Sequence, residues 1–275
     1  MSENTQVLGL SIGLGKKDEY WVCLLENYPN QDRWFVSSLK KFSSDFGEDG
    51  LIDWIRKNKI KKCYLDIPFT IPTCEICDLK CPGQLACEHP ETKKMRESIR
   101  INQKEKMPKA MKKRSKIGYN PIYHRPFDFW VWQNKTDPMQ EQMAYNYEGF
   151  FSLSYKQVKK VKYLRTLLES DTIFFESNKY LLFLELSNHK IISKKLFNQL
   201  KEFDTIVRAK EDLILGIEED FILFLSDADF EIIRKQPKAL ACFLSALSGL
   251  CHHQGKNRVL DDMFRSSLII IPNLG

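Results

Sequence analysis

Three strand-like runs open this chain in succession, a helix follows, and a further strand closes the series. VLGLSIG (7–13), YWVCLLE (20–26) and RWFVSSL (33–39) are short, rich in β-branched, aromatic and other apolar residues, and separated by hairpin-length breaks. EDGLIDWIRKNK (48–59) changes period: Leu51, Ile52, Trp54 and Ile55 recur at helical spacing, and Glu48 or Asp49 suits the first turn. KKCYLDI (61–67) returns to a strand, flanked by Lys and closed by Pro68. The order β-β-β-α-β restricts the chain to an α/β architecture with helices packed on a sheet.

Beyond Asp66 the pattern breaks. IPFTIPTC carries two prolines, which forbid regular structure there. A cysteine cluster, a basic stretch and an aromatic run, GYNPIYHRPFDFWVWQ (118–133), follow, so 68–150 reads as a long insertion within a single domain of 275 residues. Within it ETKKMRESIRINQKEK (91–106) predicts a helix ended by Pro108. Helices are expected again over 155–170, 178–187, 193–203, much of 204–235 and 238–255, the last stopped by Gly255. DTIFFES (171–177) predicts a strand ending in Glu176, and SSLIIIP (266–272) a last strand.

The insertion holds the densest chemistry. Cys74, Cys77, Cys81 and Cys87 follow a C-x2-C-x3-C-x5-C spacing. MSENTQ at the start has no basic, apolar leader pattern, which predicts a cytoplasmic protein, and thiols this close then point to a metal rather than to disulfides. Four thiolates suit a structural Zn site, and the same spacing suits an iron–sulfur cluster. His89 could replace one thiol, and unligated thiols are the plain alternative. Either metal would pin a proline-rich loop rather than catalyse a reaction. Cys23, Cys63, Cys242 and Cys251 lie in apolar contexts and are expected to be buried and inert.

Net charge is only +6, but from Lys93 to Arg125 basic residues dominate, Lys112, Lys113, Arg114 and Arg125 among them. Such a block suits a polyanion such as nucleic acid; the alternative is a solvated loop. The aromatic run could stack on bases, or pack a loop on the core. Two carboxylates end strands: Asp66 and Glu176. Metal-dependent phosphodiester cleavage needs acids converging at such ends, so both are candidate ligands for Mg²⁺ or Mn²⁺, although capping or ion pairing is an equally simple role. His252 and His253 end an apolar helix and read as partners of its dipole. No phosphate-binding loop and no nucleophile elbow is present, and no apolar run reaches membrane-spanning length.

Several of these segments, in order, resemble the domain-of-unknown-function family 429, a set of predicted nucleases with an RNase H-like fold. GLSIG resembles the family's opening strand and turn. YLDIPFTIP resembles its strand-end Asp and proline loop, and CEICDLKCPGQLAC its cysteine-bearing branch. YHRPFDFW and IFFES resemble two later motifs, and ALACFLSALSGL with IIIP its ending. The resemblance implies an RNase H-like mixed sheet with a β-β-β-α-β core, three antiparallel strands followed by a parallel one. Helices would flank it, and acidic residues would stand at the strand ends. It also implies a divalent-metal-dependent nuclease. Two departures matter: the first-strand Asp of the family falls on Ser11, and the acid of its closing helix falls in QPKALAC, which has none. Two carboxylates and a serine would bind Mg²⁺ weakly. Two expectations follow. The chain cleaves nucleic acid through a metal at Asp66 and Glu176, with weakened catalysis, or it is a non-catalytic module that binds nucleic acid or protein.

Overall fold

In a computed structural model the described residues are 5–13, 18–28, 31–43, 47–69, 72–75, 77–83, 86–93, 96, 125, 155–200, 207–260 and 269–274. The chain divides into two compact units, Met1–Phe69 with Lys159–Gly275, and Thr70–Val158. The stretch read as an insertion overlaps the second.

The first unit is α/β and is built on one mixed, eight-stranded sheet. The opening order is as expected: β1 (Thr5–Gly13), β2 (Glu19–Asn27), β3 (Trp34–Ser43), α1 (Gly47–Lys57) and β4 (Lys62–Leu65). After it come α2 (Tyr155–Leu168), whose first residues belong to the second unit, then β5 (Ile173–Glu176) and α3 (Lys179–Asn188). The rest comprises α4 (Lys194–Leu200), α5 (Val207–Asp220), β6 (Leu223–Phe224), α6 (Asp227–Lys235), α7 (Pro237–His253), β7 (Asn257–Leu260) and β8 (Ile269–Pro272). Across the sheet the strands run β6-β3-β2-β1-β4-β5-β8-β7. β1, β2 and β3 form an antiparallel meander, while β4 lies parallel to β1 and β5 parallel to β4. In β2–β3 the register shifts between Leu24 and Leu25, and the extra residue of β3, Ser37, bonds the Leu24 carbonyl at 3.3 Å.

The central strands are buried on both faces, which explains their nearly unbroken apolar sequence. One face carries Leu8, Leu10, Ile12, Cys63, Leu65 and Phe174, packed with Leu51, Ile52 and Ile55 of α1 and Val161, Leu164 and Leu168 of α2. The opposite face is covered by α7. That helix is buried continuously from Ala239 to Cys251 because α6 and α3 pack on it as well as the sheet. It lies very close to β1: a Cβ on Gly9 would stand 1.9 Å from the Cys242 carbonyl oxygen, and one on Gly249 would stand 2.5 Å from the Tyr64 ring. Gly255, at φ +71°, takes the left-handed position that stops α7.

Cys23, Cys63, Cys242 and Cys251 are buried free thiols, as expected. Burial pushes all four thiols up, Cys251 to about 12, so none is a thiolate at neutral pH. Two strands escaped the sequence reading. β6 has two residues and follows the left-handed Ile222 (φ 49°), while β7 occupies a segment between helix and last strand that had no assignment. Among the described residues no helix is long and apolar enough to cross a membrane.

Candidate functional site

The strand register decides which side chains meet. Leu10 pairs with Leu65, and Leu65 with Glu176, in parallel. Ser11, Asp66 and Ser177 therefore stand side by side, one residue further along each strand, and Ser177 N–H continues the ladder to the Leu65 carbonyl at 2.7 Å. Alternation then sorts them by face. Gly9 and Tyr64 meet α7, so Ser11 and Asp66, two residues on, point to that side too. Ser177 agrees, since its hydroxyl bonds Ser245 of α7 at 3.3 Å. Glu176 belongs to the other side with Phe174 and Leu65.

The two candidate carboxylates thus leave the sheet in opposite directions, and each has a structural partner. Asp66 accepts the Lys179 backbone N–H at 3.2 Å through Oδ1 and the Lys179 ammonium at 2.8 Å through Oδ2. Both side chains are largely shielded, 15% and 21% exposed, where an ion pair keeps much of its strength. Asp66 thereby caps α3 from outside, alongside Asn178, which accepts from Tyr180 and Leu181 N–H at 2.9 and 3.2 Å. Glu176 is buried and accepts the Phe69 N–H at 2.8 Å, tying the loop after β4 back to β5. Ser11 is 7% exposed. The helix end that faces β1 brings a base, not an acid: Lys238 Nζ reaches the Ile12 carbonyl at 3.5 Å. Among the described residues no three His, Cys, Asp or Glu side chains gather as a metal-holding group.

The same holds for the cysteine run. Cys74, Cys77, Cys81 and Cys87 form no disulfide; Cys81 is exposed and the other three are half-buried. Their chemistry suits Zn or an iron–sulfur cluster, but this structure does not bring them together. Cys74 lies in a short 3₁₀ turn, Thr73–Glu75, beside Thr73, whose hydroxyl donates to Glu91. His89 Nδ1 is buried without a hydrogen-bond partner. Of the basic residues expected to meet a polyanion, Arg125 is fully buried, which corrects its reading as a surface contact. Lys112, Lys113, Arg114 and nearly all of the aromatic run lie outside the described residues.

The histidine pair also differs from expectation. Burial, with Lys62 nearby, pushes His252 and His253 below their ordinary value, so they do not act as cations on the helix end. His252 Nδ1 instead meets the Tyr64 hydroxyl at 2.8 Å, and Phe175 stacks on Tyr64 with ring centroids 5.0 Å apart. Lys179 and Lys238 were missed as site residues. Each sits in the first turn of a helix, and nothing in the local sequence tells that turn to lie over a strand end.

Comparison with family models, curated proteins and solved structures returned no match.

Proposed function

We propose that this chain has an RNase H-like fold and binds nucleic acid without efficient metal-dependent cleavage. Support for the fold comes from the strand order β3-β2-β1-β4-β5, with an antiparallel meander, a helix, and then parallel strands. Loss of cleavage rests chiefly on one observation: the Lys179 ammonium lies on Asp66 at 2.8 Å, in the space where a divalent ion would need an open carboxylate. Ser11 adds no charge beside it, and Glu176 serves the opposite face. A site for two divalent ions needs several anionic ligands converging on one face, and among the described residues Asp66, already paired with Lys179, is the carboxylate on this one.

The ligand class rests on the basic stretch from Lys93 to Lys116, with Lys112, Lys113 and Arg114 as its densest part. Charge reversal of these three to Glu should weaken binding of a labelled oligonucleotide and flatten its salt dependence. Unchanged affinity at low salt sinks the nucleic-acid reading and leaves a protein-binding module. A structural metal held by Cys74, Cys77, Cys81 and Cys87 is part of the same proposal. Elemental analysis of anaerobically purified protein tests it: one Zn per chain, or several Fe with a brown colour, supports the metal, and neither removes it.

A further inference from the structure

The C-terminal turn of α7 is held to β4 by a hydrogen bond that runs in one direction. Tyr64 is fully buried, with Phe175 stacked on one side of its ring and Gly249 of α7 against it. Its hydroxyl meets His252 Nδ1 at 2.8 Å and has no other hydrogen-bond partner among the described residues. A proton on Nδ1 would leave the Tyr64 O–H unsatisfied in the core. Tyr64 therefore donates, and the neutral imidazole carries its proton on Nε2. Aromatic rings seat both histidines: Phe175 lies 4.8 Å from His252 and Trp34 lies 5.5 Å from His253, centroid to centroid.

Charge around this pair is one-sided. Lys62, at the start of β4, bears on both histidines, and His253 bears on His252. Neither imidazole has a carboxylate partner among the described residues. Lys256, beyond the helix, and Glu185 of α3 act on Cys251, one residue earlier. A protonated His252 would present an N–H to the Tyr64 oxygen, turn the Tyr64 proton toward a core without an acceptor, and stand beside Lys62. The negative end of the α7 dipole offsets part of that cost. Burial and Lys62 outweigh it, since both histidines stay below their ordinary value.

We propose that Tyr64 and His252 form a pH-sensitive catch: the neutral imidazole closes the last turn of α7 onto β4, and its protonation releases that turn and the start of β7. The release is local. Gln254 N–H bonds the Leu250 carbonyl at 3.0 Å and Lys256 N–H the Cys251 carbonyl at 2.8 Å, and Gly255 ends the helix between them. From Ala239 to Cys251 the helix remains in the core. The catch does not depend on what the strand ends bind.

Amide hydrogen exchange of the full chain at pH 7 and pH 5, corrected for intrinsic rates, tests it. Protection of the Gln254 and Lys256 amides should fall about fivefold at the lower pH, the size of one hydrogen bond, while Leu8 and Leu10 in β1 keep theirs. Tyr64→Phe keeps the ring and removes the donor, so the fall should shrink. His252→Gln removes the titrating group and should abolish it. Circular dichroism at pH 7 checks that both variants fold. Equal protection at the two pH values overturns the proposal. So does a fall shared equally by Leu8 and Leu10, or one of full size in either variant.

Discussion

Lys179 makes the ending of β4 comprehensible at the scale of single residues. A carboxylate at the end of a buried parallel strand needs a counter-charge, and this chain supplies an ammonium through the first turn of α3. Lys179→Met should therefore strand a shielded Asp66 and cost about 2–3 kcal/mol in denaturant unfolding, somewhat below the loss for a fully buried pair. An unchanged unfolding midpoint would show that the pair contributes nothing. His252 yields a pH prediction. Its folded value is depressed by burial, so the unfolded chain takes up a proton first as pH falls below about 6.5. Its share of stability is present above that pH and declines below it, and His252→Gln should flatten the decline between pH 7 and 5. Identical pH profiles would remove the assignment. Asp66 was legible in the sequence because an apolar run delivers it to a strand end. Its partner was not, since the pair spans 113 positions and no local pattern encodes a contact at that range.

Among the elements, α7 and β1 fix the fold jointly. A helix buried on all sides can approach a strand this closely only where side chains are missing, and Gly9 and Gly249 supply that absence. Gly9→Ala forces a methyl against the Cys242 carbonyl, which belongs to rigid helix backbone, and should cost about 1–3 kcal/mol or more. A fall in melting temperature of several degrees is expected, and none at all would mean that the packing yields. Elements with a strong period or an apolar run were legible: the three-strand opening, α1, β4, β5, α7 and β8. β6 and β7 were not. Two residues cannot display a period, and β7 depends on its antiparallel pairing with β8 rather than on a pattern of its own. The expected helix over 91–106 is described only in part, at 91–93 and at 96, where it is helical.

For the molecule as a whole, element order was readable and lateral order was not, because order along the chain leaves open which strands become neighbours. Here β8 inserts between β5 and β7, and β6 extends the sheet beyond β3. The same lateral register decides the site. It aligns Ser11, Asp66 and Ser177 on one face and sends Glu176 to the other; Lys179 pairs with Asp66, and Lys238 lies in the segment where the closing acid was expected. The most direct measurement is Mn²⁺-dependent cleavage of labelled DNA and RNA, single- and double-stranded, by the full chain and by Asp66→Asn. The account predicts that both proteins give the same background, with oligonucleotide still bound. Cleavage by the natural chain that Asp66→Asn abolishes would contradict it, and would mean that Lys179 yields Asp66 to a metal.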